Sequence, residues 1–221
     1  MNAISKVASA AFILDRGSNT LLDSAGRRFD PASRKWLPAS KEQGRTGKTE
    51  TLDAIGAVTW LQRESGAWLR VPIGVIGPRE ASAAQLAAAL KVGELLGDCR
   101  LAVLCGGRHG VMQAVCEGVA RVGGLSIGLL PDADAQHANP FVGVAIATGI
   151  GEARNALIAR ASFCLVAIGN SLGTLCEVAL GRQFGKLVVG LEGAAEVEGV
   201  AHVASARDAV ERVAQAILGI S

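Results

Sequence analysis

Residues 101–121 read LAVLCGGRHGVMQAVCEGVAR, and this stretch decides the fold. An uninterrupted apolar run, Leu101–Cys105, is followed by a glycine-rich loop and then by apolar residues at helical spacing over Val111–Arg121. Such a short continuous apolar run is typical of a strand that is buried on both faces of a sheet. The stretch therefore predicts a buried strand, a tight loop and a helix, which together form the repeating unit of an α/β fold.

The same alternation continues on both sides of this stretch. Further strands are predicted at Val71–Ile76, Leu125–Leu130, Phe141–Ala147, Phe163–Ile168 and Leu187–Leu191. Further helices are predicted from a capping box at Ser82–Gln85 to about Leu96, over Arg154–Ala161 and Thr174–Phe184, and from Ser205 to about Leu218. Strands that alternate with helices and are apolar throughout predict an α/β protein with a doubly wound parallel sheet over residues 71–221.

Residues 1–70 have a different composition and contain all three tryptophans. The short apolar runs Phe12–Leu14 and Thr20–Leu22 flank a turn at Arg16–Asn19, and residues 23–26 predict a second turn. Residues 38–50 are polar and resemble a linker, whereas residues 51–63 have helical apolar spacing. The sequence thus predicts an N-terminal extension, residues 1–70, made of a β-hairpin and a helix, ahead of a nucleotide-binding domain over residues 71–221.

Within that extension, residues 44–49 superficially resemble a nucleoside-triphosphate P-loop. The pattern requires a glycine six residues before Lys48, where the chain has Glu42, and no apolar strand precedes it. A true P-loop is therefore excluded.

Overall composition excludes several classes of protein. The 221 residues are 50% hydrophobic and carry a net charge of +2, which excludes a disordered chain and makes a nucleic-acid partner unlikely. Five cysteines without a CxxC pair indicate a reducing, cytoplasmic location. No Cys/His spacing suits a metal, and we expect neither a signal peptide nor a membrane partner.

Three glycine-containing loops leave predicted strands at the edge where α/β sheets bind ligands. Glycine lets a phosphate approach the backbone, and two of the loops lead straight into helices, whose N-termini attract anions. We expect a small phosphorylated ligand across these loops, although tight turns without a ligand would look the same. The candidate binding residues are Gly77 in the first loop, Gly106, Gly107, His109 and Gly110 in the second, and Gly169, Asn170, Ser171, Gly173 and Thr174 in the third.

Two charged residues are candidates for chemistry at these loops. Glu177 follows Thr174 by three residues, so its carboxylate points back toward the loop, where it could activate water or hold a ribose hydroxyl. The simpler alternative is that Glu177 is an acidic residue near the start of a helix, where the helix dipole favours a negative charge. Arg154 opens a helix, where the dipole disfavours a cation, and this suggests an anionic partner: a ligand phosphate or Glu177.

The order of four motifs resembles the LOG superfamily, whose members were long labelled lysine decarboxylase-like. The motifs are Gly-Gly-x-x-Gly-Val-Met at 106–112, Asn-Pro-Phe at 139–141, Thr-Gly-x-Gly-x-Ala-Arg-Asn at 148–155 and Gly-Thr-Leu-x-Glu-Val-Ala at 173–179. The match covers about residues 72–191. Within the superfamily, the chain most resembles the branch that is related to DNA-processing protein A and is similar to the molybdenum cofactor carrier proteins.

The resemblance implies a Rossmann-like fold, a homodimer or higher homo-oligomer, and a nucleotide-like ligand. LOG enzymes cleave cytokinin nucleoside monophosphates to base and ribose 5-phosphate, with an arginine and a glutamate that match Arg154 and Glu177. Their phosphate-binding loop corresponds to Gly169–Thr174 here. The resemblance implies that the peptide groups of Gly107, Gly173 and Thr174 cradle phosphate. This chain departs from the hydrolases in having Asn170 and Ser171 in place of two glycines. Asn155 matches the carrier-like branch and is a further candidate ligand-binding residue.

Two functions remain open at this point. The protein either binds a nucleoside monophosphate or the molybdenum cofactor as a carrier or sensor, with no cofactor required for catalysis, or it is a phosphoribohydrolase acting on a nucleoside 5′-monophosphate. A DNA-processing module is a third reading that the net charge disfavours. Lysine decarboxylation is disfavoured because no lysine stands in the motif loops to form a Schiff base with pyridoxal phosphate.

Overall fold

The computed structural model describes residues 11–38 and 47–220, which divide into two compact units. One unit comprises residues 70–210, and the other comprises residues 11–69 and 211–220 apart from the gap at 39–46. No helix in the described ranges is both long enough and apolar enough to cross a membrane.

The larger unit is built on a seven-stranded sheet in which every pair of neighbouring strands is parallel. Its strands are β6 (Ile73–Ile76), β7 (Val103–Cys105), β8 (Ser126–Leu130), β9 (Val144–Ala147), β10 (Leu165–Ile168), β11 (Val188–Leu191) and β12 (Val200–His202). They lie in the order β12-β11-β10-β6-β7-β8-β9, so the direction of winding reverses between β6 and β10. The predicted doubly wound, Rossmann-like sheet is confirmed.

Helices follow the strands as expected. They are α2 (Ala83–Asp98), α3 (Val111–Arg121), α4 (Arg154–Ala161), α5 (Leu172–Gln183) and α6 (Ala206–Ile217). Helix α2 packs on α3 and α4 packs on α5, while Ile158 of α4 and Val178 of α5 are buried against strand residues such as Leu165 and Val188. Right-handed crossovers place the connections on either side of the reversal on opposite faces of the sheet.

The smaller unit contains a five-stranded antiparallel sheet in the order β4-β3-β2-β1-β5, together with helix α1 (Ala54–Arg63). The strands are β1 (Phe12–Asp15), β2 (Thr20–Leu22), β3 (Arg28–Asp30), β4 (Lys35–Leu37) and β5 (Thr49–Leu52). The predicted hairpin is β1–β2. Trp36 stacks on Phe12 and donates its indole N–H to the Leu218 carbonyl at 2.7 Å.

Several predicted boundaries are wrong. The helix expected from residue 51 begins at Ala54, because Asp53 caps it by accepting the Gly56 N–H at 2.7 Å. Residues 49–52 form strand β5 rather than linker or helix, while residues 39–46 of that linker, including the start of the P-loop-like stretch, lie outside the described residues. The three-residue strands β3, β4 and β12 were not predicted, because such short segments have no measurable periodicity.

Close contact between α2 and α3 depends on glycines. A Cβ on Gly118 would overlap the Leu90 carbonyl oxygen, and a Cβ on Gly93 would overlap the Val115 carbonyl oxygen. The two helices can approach this closely only because these positions have no side chain.

We therefore expect Gly118→Ala to lower the free energy of unfolding by about 1–3 kcal/mol, because overpacking outweighs the better helix propensity of alanine. Urea denaturation measures this loss. The exposed position Ala120 on the same helix provides the control, since Ala120→Gly should cost about 0.5–1 kcal/mol. A Gly118→Ala protein more stable than the parent would contradict the packing argument.

Candidate functional site

A cleft of about 760 Å³ opens at the carboxyl edge of the sheet, where the winding reverses. Its walls come from the loops after β6, β7 and β10 and from the first turns of α4 and α5. The sequence predicted ligand loops at this edge. The predicted residues that line the cleft are Gly77, Gly106, Arg154, Asn155, Asn170, Ser171, Gly173, Thr174 and Glu177.

Four other candidates lie in the predicted loops without lining the cleft. Gly107 accepts hydrogen bonds on its carbonyl from the backbone and side-chain N–H groups of Asn139, at 2.9 and 3.2 Å. Gly169 donates its N–H to Leu191. His109 is exposed, with Nδ1 3.2 Å from the side-chain oxygen of Gln113. Gly110 has φ of +68°, and a Cβ there would overlap the Arg79 carbonyl oxygen, so its role in the structure is to shape the turn into α3.

Arg154 is the first residue of α4 and is only 4% exposed. Its Nη1 donates to the Asn155 side-chain oxygen and lies 3.7 Å from Glu177 Oε1, while its Nη2 lies 3.9 Å from Glu152 Oε2. Neither carboxylate is within hydrogen-bond distance. The buried Nε has no hydrogen-bond partner among the described residues. A guanidinium has five N–H donors, so this one retains most of its capacity to bind an anion.

Glu177 is also buried, with 6% exposure, on the face of α5 that lines the cleft. Burial raises the pKa of its carboxyl group from 4.5 to about 8; the Arg154 guanidinium opposes this shift and the Glu152 carboxylate adds to it. The structure thus brings Arg154 and Glu177 together. With a pKa near 8, Glu177 is mostly protonated at neutral pH, and the positive charge of Arg154 is then not neutralised by it.

The third loop ends in an N-cap that was not predicted. Ser171 accepts the Thr174 N–H on its hydroxyl at 3.2 Å, and its Oγ lies 2.9 Å from Thr174 Oγ1. The Thr174 N–H, expected to face phosphate, is therefore already used within the helix start. The N–H groups of Leu172 and Gly173, in the first turn of α5, have no acceptor in a regular helix and can bind an anion.

Sequence reasoning missed three charged residues at the cleft: Glu80, and the pair Arg79 and Glu152. Arg79 follows the predicted Gly77-Pro78 turn, and Glu152 precedes Arg154 by two residues in a short 3-10 helix, Gly151–Ala153. Their side chains form an ion pair of 2.9 Å between two different loops. Only proximity to the predicted motifs could have singled them out.

The described residues contain no group of three His, Cys, Asp or Glu side chains that could hold a metal ion directly. Apolar side chains complete the cleft: Ile76 and Met112 line it, and Leu172 at its rim is 89% exposed. The arrangement combines an apolar surface with a buried cation and helix N–H groups. It can bind a ligand that has an organic ring and an anionic group.

Comparison with solved structures identifies proteins of similar fold. The molybdenum cofactor binding protein of Rippkaea orientalis is 33% identical with a TM-score of 0.64, and the match covers 67% of this chain and 99% of that one. The molybdenum cofactor carrier protein of Chlamydomonas reinhardtii is 33% identical with a TM-score of 0.62, and the match covers 68% of this chain and 99% of that one. DNA processing protein A of Streptococcus pneumoniae is 18% identical with a TM-score of 0.53, and the match covers 63% of this chain and 60% of that one. At this identity, the likeness shows the fold alone.

The family assignment rests mainly on the larger unit. Residues 70–217 match the model of the SLOG cluster4 family, which extends beyond the stretch of about residues 72–191 that carried the predicted resemblance. The carrier-like and DNA-processing-protein-like neighbours are those of the predicted branch. This chain belongs to the SLOG cluster4 family.

Proposed function

We propose that this protein binds a small phosphorylated ligand in the cleft, a nucleoside monophosphate or the molybdenum cofactor, and holds it unchanged as a carrier or sensor. The observation that carries the proposal is the buried Arg154 guanidinium, whose Nε has no partner among the described residues. Buried polar groups in proteins are almost always hydrogen-bonded, so such a cation calls for an anionic partner. The proposed location is the cytoplasm.

The residues present suit the molybdenum cofactor, which joins a pterin ring to a phosphate monoester. Arg154 and the N–H groups at the start of α5 would hold the phosphate, and Ile76 and Met112 would contact the ring. The cofactor supplies redox chemistry when bound. The similar proteins from Rippkaea orientalis and Chlamydomonas reinhardtii are named for binding and carrying this cofactor, which supports the same class of ligand here.

Phosphoribohydrolase activity is the second candidate, because Arg154 and Glu177 lie in the same cleft 3.7 Å apart. That reaction requires an ionised glutamate to orient water and to stabilise positive charge at the anomeric carbon. The raised pKa of Glu177, about 8, leaves little ionised carboxylate at neutral pH. Binding without hydrolysis is therefore the better supported function.

The first test is titration calorimetry with AMP, GMP and ribose 5-phosphate. Arg154→Gln should weaken binding about 10- to 100-fold, because charge-assisted hydrogen bonds to phosphate are lost. The matched control is Arg160→Gln. Arg160 also lies on α4, but it is exposed and packs over the Phe184 ring, so its replacement should leave binding unchanged. Equal affinities of the two variants would contradict the proposal.

The same samples separate carrier from hydrolase when free base is followed by chromatography. A carrier releases no base. Base release that disappears in Glu177→Ala would instead establish the phosphoribohydrolase.

Affinity for AMP should depend on pH. Ionisation of Glu177 places a negative charge beside Arg154, so we expect AMP to bind roughly tenfold more weakly at pH 9 than at pH 7. The phosphate monoester itself, with a second pKa of about 6, stays doubly charged over this range. In Glu177→Gln the dependence should vanish, and a dependence that persists there would assign it to another group. Hydrolysis, which needs the ionised carboxylate, would rise over the same interval.

We also propose that the protein forms a homodimer. Leu157 on α4 and Leu175 on α5 are exposed, as is Leu172, and α4 packs on α5. Exposed apolar side chains on adjoining helices favour burial against a second protein surface.

Light scattering should give twice the chain mass of 22.6 kDa, and Leu157→Glu should shift the protein to monomer. Leu125→Glu, at another exposed leucine, is the control, and dissociation by both variants equally would refute this interface.

A further inference from the structure

The carboxylate of Glu152 lies between two arginines at the cleft. Its Oε1 is 2.9 Å from Arg79 Nη2, and its Oε2 is 3.9 Å from Arg154 Nη2. Arg79 comes from the loop after β6, whereas Glu152 and Arg154 precede and begin α4, and all three line the cleft. Two cations from separate parts of the chain therefore converge on one position that an anionic group occupies.

The three side chains differ in how firmly they are held. The Arg154 side chain is 5% exposed, so its position is fixed by packing. Arg79 and Glu152 are 49% and 65% exposed, and their ion pair is screened by solvent. Glu152 is also too far from Arg154 for a hydrogen bond. This carboxylate is thus a weakly held partner that another anion can displace.

We infer that Arg79 and Arg154 form a two-arginine subsite for a phosphate monoester, and that Glu152 competes with the ligand for it. The inference rests on the proposed function and names the part of the ligand that the cleft recognises. A phosphate monoester has two negative charges at neutral pH and three acceptor oxygens, so it can bridge two guanidinium groups. A phosphodiester has a single charge and matches the subsite less well.

A mutational cycle tests the assignment, with AMP as the monoester probe and 3′,5′-cyclic AMP as the diester probe. Arg79→Gln should weaken AMP binding about tenfold and should reduce the preference for AMP over cyclic AMP, because it removes the cation that meets the second charge. Glu152→Gln should strengthen AMP binding about fivefold by removing the competitor. In the Arg79→Gln background, Glu152→Gln should have a smaller effect, because their ion pair is already absent.

Glu80→Gln controls for a general change in charge, since Glu80 is another carboxylate at the cleft with no ion pair among the described residues. Its effect on AMP affinity should stay below about twofold, because it does not engage either arginine. Unchanged or weaker AMP binding in Glu152→Gln, or an equal gain in Glu80→Gln, would overturn the inference. If the parent protein binds AMP but Arg79→Gln binds equally well, the subsite is wrong while the proposed function stands. If the parent binds none of AMP, GMP, ribose 5-phosphate and molybdopterin, the proposed function itself fails.

Discussion

The parallel pairing of β6 with β10 sets where the cleft lies in the sheet. Val75 lies opposite Val166 in the register. The neighbouring Gly74 has no room for a side chain, because a Cβ there would overlap Leu165 Cδ2 of β10 and Ser162 Oγ at the end of α4. The strand order reverses at this pair, so the loops leaving β6 and β10 diverge to opposite faces of the sheet. The cleft is the space that this divergence leaves. No single helix or loop creates it.

Within the cleft, electrostatics and burial act against each other. A guanidinium that is almost fully buried is costly unless it is paired, and the nearest carboxyl group, Glu177, is itself so buried that its protonated form is favoured. The result is a fixed cation with unused donors beside a carboxyl group that is mostly neutral at neutral pH. Such a site is better suited to holding an anion than to activating water, and this supports the proposed carrier over a hydrolase.

Much of this arrangement could be predicted from the sequence. The helices that begin at Val111 and Arg154 were placed correctly because glycine-rich loops and apolar spacing mark them locally. Arg154 and Glu177 could be placed in one site because they match the arginine and the glutamate of the LOG enzymes. Arg79 and Glu152 could not be found, because their contact joins two loops whose approach is set by the sheet. The cap formed by Ser171 was not predicted, because the helix was expected to begin at Thr174 and it begins at Leu172.

The reversal of strand order also has a consequence for folding. The residues paired between β6 and β10 are about 90 positions apart, and closing so long a loop costs chain entropy before its contacts are gained. The segment from β6 to β8 consists of neighbours along the chain and can assemble without β10. An intermediate of that kind lacks the cleft residues 152–155 and 170–177, and holds only those from β6, from the loops after β6 and β7 and from α3. Under the proposed function, ligand binding would stabilise the completed sheet and not its early half, which couples occupancy to the strand pairing with the largest sequence separation in this sheet.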